Sequence, residues 1–492
     1  MKPRAVLSLI AALSPAFAVA QTATAATAAA ASLAPSSEGL ANHWLRQQSG
    51  TFSAWDIGGQ FRARFEHRGH TAIPGSPGAI DFRDHGADTG NTYELFRTTL
   101  HLGYAPTAWA GVLVEGRDSF SLHDDRVPDP ESDRAELHQA YLRLGDPAGF
   151  PLHAKIGRQE LSYGDERLVG AFDWNNVGRV FDAAKLRYED CDVWVDAFAG
   201  RVVVPDDHNL DLANDYDGFS GIYASSGTLV PFQETQAYVL ARNTGTGSPT
   251  TLGAGLPATM TGASPRDIYT VGIRMRSLPG KLHGWDHSFE AAGQFGRFKD
   301  AVAGPSLSQQ AFATHIAGGY TFADLPASPR LGLEHDYSSG DSDPTDGRHG
   351  TFDNLFPTNH RFYGHMDFAS WQNLHDLRAS SSVKPVKRLL LALDWHAFWL
   401  ADTHDSFYQV NGARRTGQVA GPGTGYGINP AFDSYIGQEA DLTATWTLRP
   451  WATLQAGYGH FFVGGYIERS LASPGFGATD ADFLFTQATL SF

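Results

Sequence analysis

From Ala54 to the last residue, apolar and polar side chains alternate with a period of two in segments of ten to fourteen residues. Successive side chains of a strand point to opposite faces, so this period predicts strands rather than helices. The pattern places them at 54–67, 93–104, 108–120, 134–144, 152–161, 179–189, 193–203, 216–226, 231–242, 267–277, 286–299, 310–323, 329–338, 372–382, 388–401, 434–447, 451–464 and 481–492, eighteen in all. In "FRARFEHR", Phe61, Ala63 and Phe65 oppose Arg62, Arg64 and Glu66; in "IYTVGIRMR", Tyr269, Val271, Ile273 and Met275 oppose Arg274 and Arg276. One face is apolar throughout and the other polar, often charged.

The connections between these segments alternate strictly between short and long. Short ones lie at 105–107, 145–151, 190–192, 227–230, 278–285, 324–328, 383–387 and 448–450, none above eight residues, while the others run from ten to thirty-three. A soluble sandwich has no reason to sort its turns in this way. A membrane-spanning barrel has short periplasmic turns, long outer loops and an even strand number. The expected fold is therefore all-β: a single closed antiparallel transmembrane β-barrel of 18 strands covering residues 54–492. Closure also explains the final strand, "ADFLFTQATLSF", because an open edge in hydrocarbon leaves backbone groups unpaired at several kcal/mol each. Its terminal aromatic, Phe492, is expected to be the mark read by the outer-membrane assembly machinery. Aromatics near the short-turn ends (Tyr104, Trp109, Trp194, Phe232, Trp285, Trp446 and Trp451) suit an interfacial girdle.

The N-terminus assigns the compartment. Lys2 and Arg4 precede an apolar run from Ala5 to Leu13, and Ala18-Val19-Ala20 precede Gln21, the layout of a secretory signal peptide over 1–20. Residues 21–53, rich in Ala, Thr and Ser, read as a flexible periplasmic segment. The chain is thus expected in the bacterial outer membrane, with membrane lipid and lipopolysaccharide as its surroundings. A net charge of −16 excludes nucleic acid as a partner, and a single cysteine, Cys191, excludes a disulfide scaffold. No cofactor is called for.

Two stretches resemble a known family. "GRQELSYGDERLVGAFDWNNVGRVFDAAKLRYE" (157–189) and "GTFDNLFPTNHRFYGHMDFASWQN" (350–373) are similar to the alginate export family of outer-membrane porins, and the similarity extends from about residue 54 to the C-terminus. The resemblance implies an eighteen-stranded barrel whose arginine-lined bore conducts a polyuronate. The family's alginate exporter has a long periplasmic turn that plugs the bore; here the corresponding turn is "LRP" at 448–450, so this chain resembles a relative of that exporter.

A bore of eighteen strands is wide enough for water, and selectivity then rests on lining charges and inserted loops. Arg62, Arg64, Arg97, Arg117, Arg143, Arg187, Arg274 and Arg276, with Lys185, fall on the polar face. Arginine meets carboxylates with a permanently charged two-pronged fork, so these residues suit an anionic saccharide or small carboxylate solute. The same residues can instead pair with lumen acids such as Glu66, Glu136, Glu290, Glu439 and Asp441 and stiffen the wall. Arg158, Arg167 and Arg179 match charged positions of the family motif, and they allow the same two roles: solute contact or an internal ion-pair network. The thirty-three-residue connection 339–371 is too long for a mere link. Its core residues Phe352, Asn354, Phe356, Asn359, His360, Arg361 and Tyr363 are expected to fold inward as a constriction.

Two other chemistries have partial signals in the chain. Asp341, Asp343 and Asp346 ahead of Gly347 have a calcium-like spacing without the downstream acidic ligand, so no metal is assigned. His360, with Ser338 and Ser339, is the sole candidate for a hydrolase, and no nucleophile motif surrounds it. No catalytic residue is expected. A general diffusion porin without anion preference is the competing function.

Overall fold

The computed structural model describes residues 39–48, 50–70, 82–84, 90–126, 129–207, 210–245, 265–300, 304–415, 426–472 and 475–492. The signal segment, and the part of 21–53 before residue 39, lie outside these. Eighteen antiparallel strands form one closed sheet. They are Trp55–Gly69, Asn91–Thr107, Ala110–Leu122, Asp133–Leu144, Leu152–Gln159, Phe181–Asp190, Val193–Val204, Leu212–Ser226, Gln233–Thr244, Arg266–Ser277, Trp285–Phe298, Leu307–Thr321, Arg330–Ser338, Leu374–Val386, Leu389–Leu400, Tyr435–Arg449, Ala452–Val463 and Ala481–Ser491. A two-residue piece, Arg348–His349, adds a short parallel pairing to the strand Leu307–Thr321. The last strand pairs with the first from Gln60↔Ser491 to Gly69↔Asp482, which leaves no edge.

The alternation read from the sequence has the expected sense. Leu100, Leu102, Val112, Val114, Ile156, Leu186, Ile222, Val239 and Leu333 are exposed on the outer wall, whereas Arg62, Arg64, Arg97 and Arg274 are buried inside. Water cannot satisfy a lipid-facing surface, so exposure there belongs to apolar residues. Tyr104, Trp109, Phe232, Trp285, Trp446 and Trp451 are exposed near the short-turn rim. Trp194 is the exception: it faces inward, stacked against Tyr163 and 4.3 Å from the Arg187 guanidinium.

Residues 40–48 form a short helix, Leu40–Gln48, within the stretch whose composition suggested only a flexible lead. Asn42 ties it to the first strand: its side chain donates to Asp56 and accepts from the Ile57 amide at 2.8 Å. No helix among the described residues is long and apolar enough to cross a membrane. The spanning elements are the strands.

What the alternation could not convey is how much chain lies inside the barrel. The connection 160–180 turns inward after Gln159, and 339–373 crosses the interior. The second segment touches inward-facing residues around most of the ring. Arg68 donates to the Met366 carbonyl, Arg242 to Leu355, Gln294 to Asp353 and Gln309 to Thr351, and the Met366 amide donates to Glu439. Phe356 packs edge-on against Phe181 and Phe219, and Phe368 against Phe461. The largest buried hydrophobic cluster is therefore inside the barrel, where these segments meet the wall.

Candidate functional site

The candidate site is where two connections folded into the barrel meet a ladder of arginines. Arg62, mid-way along the first strand, donates to the carbonyl oxygens of Asp173 (2.7 Å), Trp174 (3.2 Å) and Asn175 (3.2 Å) and to Asn176 Oδ1 (3.2 Å). Arg64 donates to the Trp174 carbonyl at 2.7 Å and pairs with Glu66 at 2.7 Å. Arg97 holds the Asp173 carboxylate at 2.8 Å, and Arg117 donates to the Val177 carbonyl at 2.6 Å. Four polar-face arginines thus grip one short stretch, 173–177, and draw it to mid-depth in the bore.

The two inserted loops are fastened to each other. The Gly170 amide donates to Phe356, the Phe356 amide to Leu168 and the Thr358 amide to Glu166, all between 2.8 and 2.9 Å. Arg179 bridges the same seam, donating to the carbonyls of Gly170 (3.1 Å) and Pro357 (2.9 Å). Burial and the nearby Arg242 push its guanidinium down to about 10. His360 stacks on Trp174 with ring centres 3.8 Å apart, and the Arg64 guanidinium lies 4.0 Å from the same indole.

Opposite the ladder, a second cluster clamps the seam. Arg167 pairs with Asp336 at 3.0 Å, with Glu334 and with Asp165 at 3.6 Å, and it lies 4.0 Å from the Phe362 ring. Arg274 reaches Asp165 at 3.4 Å and Glu290 at 3.9 Å. Burial works against ionising Asp165, but Arg274 and Arg167 override it and hold the carboxyl well below the usual range. Asp353 is likewise lowered despite burial, by Arg266 and Arg242.

Lys185 and Arg187 both face Asp196, at 3.5 and 2.5 Å, and Arg276 pairs with Glu234. Arg143 faces the bore beside Lys155 on the next strand. Arg158 does not line the pore. It shares the outward parity of Ile156 and pairs with Asp182 at 2.8 Å on the outer side of the wall.

Phe352, Asn354, Phe356, Asn359, His360 and Tyr363 are buried. They form the interior of the inserted loop rather than a surface presented to solute, since aromatic side chains in a watery bore pack against one another. Arg361 is the exposed member of the set. His360 hydrogen-bonds to Asp367 (3.0 Å) and His365 (3.1 Å), while the Ser339 hydroxyl is given to the Gly350 carbonyl. Asp343 and Asp346 cap amides of their own turn.

Asp165 is one of the acids interleaved with the arginines of the first family-like stretch, and the ion-pair network read there from sequence includes it. Two participants were not singled out from sequence. Trp174 lies inside the same stretch, so position there was the available signal. Arg378, which pairs with Glu334 at 3.3 Å and Asp394 at 2.7 Å, sits on the polar face of its strand.

A closed eighteen-stranded barrel with an apolar outer band and a polar, charged inner wall defines an outer-membrane channel, located in the bacterial outer membrane. The alginate export family matches residues 54–473, and the chain belongs to that family. Among solved structures, the fold is similar to Pseudomonas aeruginosa OccK2 (OpdF) in complex with glucuronate (12% identity, TM-score 0.52, covering 89% of this chain and 98% of that one). It is also similar to P. aeruginosa OccD3 (OpdP), at 12% identity and TM-score 0.52 over 89% and 91% of the two chains. Acinetobacter baumannii OccAB1 matches at 11% identity and TM-score 0.52 over 89% and 97%. No curated protein matches the sequence. Family and fold are those of transport porins.

Proposed function

We propose that this porin passes anionic solutes, of the uronate or small-carboxylate class, through the constriction made by 160–180 and 339–373. The observation that carries the reading is the pattern of cations without carboxylate partners. Arg62 and Arg179 are bonded chiefly to carbonyl oxygens and make no ion pair among the described residues, so nearby Asp173, Glu131 and Glu166 offset their charge only in part. Arg361 is exposed on the constriction loop and makes no ion pair among the described residues. A solute meets Arg361 directly and feels the buried arginines as a field, so it is attracted yet can leave. A barrel of the same fold, OccK2, is recorded in complex with glucuronate.

A second reading, a channel without preference, draws on the paired arginines: Arg167, Arg187, Arg274 and Arg276 each face an acid. Lipopolysaccharide around the outer band and the assembly machinery at Phe492 complete the proposed partners. The discriminating experiment is block of single-channel current in planar bilayers. Glucuronate should reduce the current in a concentration-dependent way that neutral glucose does not reproduce, and Arg361→Gln should weaken the block. Equal effects of the two sugars would favour the channel without preference.

A further inference from the structure

The barrel wall has a notch on its long-loop side. Strands Leu152–Gln159 and Phe181–Asp190 stop early, where the chain between them turns into the bore. Strand Asp133–Leu144 therefore pairs with its neighbour only from Ala140 to Leu144. Beyond the notch, the hairpin of Val193–Val204 and Leu212–Ser226 rises alone, paired to its end at Val204↔Leu212.

Three carboxylates meet across this notch. Asp133 and Glu136 come from one side and Asp211, just before Leu212, from the other; one carboxylate oxygen of each lies within 4.8 Å of the others. All three are buried, at 1%, 5% and 4% exposure. Strand alternation would not put positions 133 and 136 on one face. A bulge does: Arg117 and Ser119, two apart, pair with Glu136 and Asp133, and Ala135 takes a left-handed backbone with φ of +54°. Such a backbone costs a non-glycine residue about 1 kcal/mol or more.

The charges around the cluster do not neutralise it. His138 bonds Glu136 at 3.1 Å and also Glu160. Arg117 gives its hydrogen bond to Val177, and Arg158 is committed to Asp182, offering Asp211 only a bond to its main-chain carbonyl at 3.0 Å. Asp211 accepts one amide, from Asp206, at 2.8 Å. Both carboxylate oxygens of Asp133 are buried and have no hydrogen-bond donor among the described residues, and one of them lies in the cluster. A buried anion without a donor is among the costliest arrangements in a protein.

We propose that Asp133, Glu136 and Asp211 form a binding site for a calcium-type divalent cation that staples the notch shut. An all-carboxylate set supplies hard oxygen ligands, some bidentate, with water completing the six to eight that calcium takes. The ion bridges the strand Asp133–Leu144 to the hairpin ending at Asp211. Affinity in the range of about 10⁻⁴–10⁻³ M, usual for extracellular calcium modules, suits a site on the outer side of the membrane.

The test is calcium titration of the detergent-refolded full chain, free of lipopolysaccharide, read as thermal midpoint. Wild type should gain several degrees between EDTA and millimolar calcium, and D133N/D211N should gain none. In EDTA the variant should be at least as stable as wild type, because it relieves repulsion; a merely structural role for these carboxylates predicts a loss instead. Terbium luminescence on wild type, with calcium as competitor, gives an independent reading if the variant does not refold. Absence of a calcium-dependent shift in wild type, an equal shift in the variant, or terbium that calcium does not displace would overturn the proposal.

Discussion

Replacing Arg62 with Met keeps the apolar stem but removes every hydrogen bond its guanidinium makes to residues 173–176. Four bonds are lost, one at 2.7 Å and three at 3.2 Å. Each bond from a charged donor contributes about 1.5–3 kcal/mol net in a buried setting, but the sum overstates the effect. Water in the bore can serve the freed carbonyls, and Arg64, Arg97, Arg117 and Ser119 still hold the neighbouring atoms. A net local cost of about 2–3 kcal/mol follows. At about 1.4 kcal/mol per tenfold, the detached state of 160–180 should become roughly 30- to 150-fold more populated. Hydrogen exchange at the amides of 160–180 should quicken by that factor while strand amides keep their protection. Single-channel records should show brief excursions to higher conductance. Unchanged exchange in a correctly folded R62M barrel would refute the idea that the ladder holds the loop.

Two further outcomes follow from the same packing. Asp165 has a folded-state pKa below its unfolded value near 3.9, so its pairing stabilises above about pH 4 and is lost as pH falls through the depressed value. Melting curves should therefore steepen toward acid in wild type, and D165N should be less stable near neutrality and flatter below pH 4; parallel curves would contradict this. Gly364 has φ of +84°, and a Cβ there would run into the Glu439 carboxylate that accepts the Met366 amide at 2.9 Å. G364A should cost about 2–3 kcal/mol locally, read as faster exchange of the Met366 amide.

The strands were legible because lipid on one side and a polar bore on the other enforce a strict period of two. Ends were less so: the strand expected at 216–226 begins at Leu212, where the polar run "DLANDYD" resembles a loop. The arginine ladder was visible as polar-face positions, but its role was not. Its main acceptors are backbone carbonyls, which every residue carries and no motif marks. Arg158 and Trp194 follow the parity of their own strands, outward with Ile156 and inward with Asp196 and Phe198, so charge and aromatic character pointed the wrong way where parity pointed the right one. The Asp133–Glu136–Asp211 cluster depends on a bulge and on a contact between residues far apart in the chain, neither of which periodicity reports.

The most direct measurement is the zero-current potential of the channel under a salt gradient at low ionic strength, where charges in a watery bore are least screened. Wild type should show a modest preference for anions that fades as salt rises, and Arg361→Glu should move the potential toward cation selectivity without changing the melting temperature. A wild-type channel that already prefers cations at low salt would contradict the account.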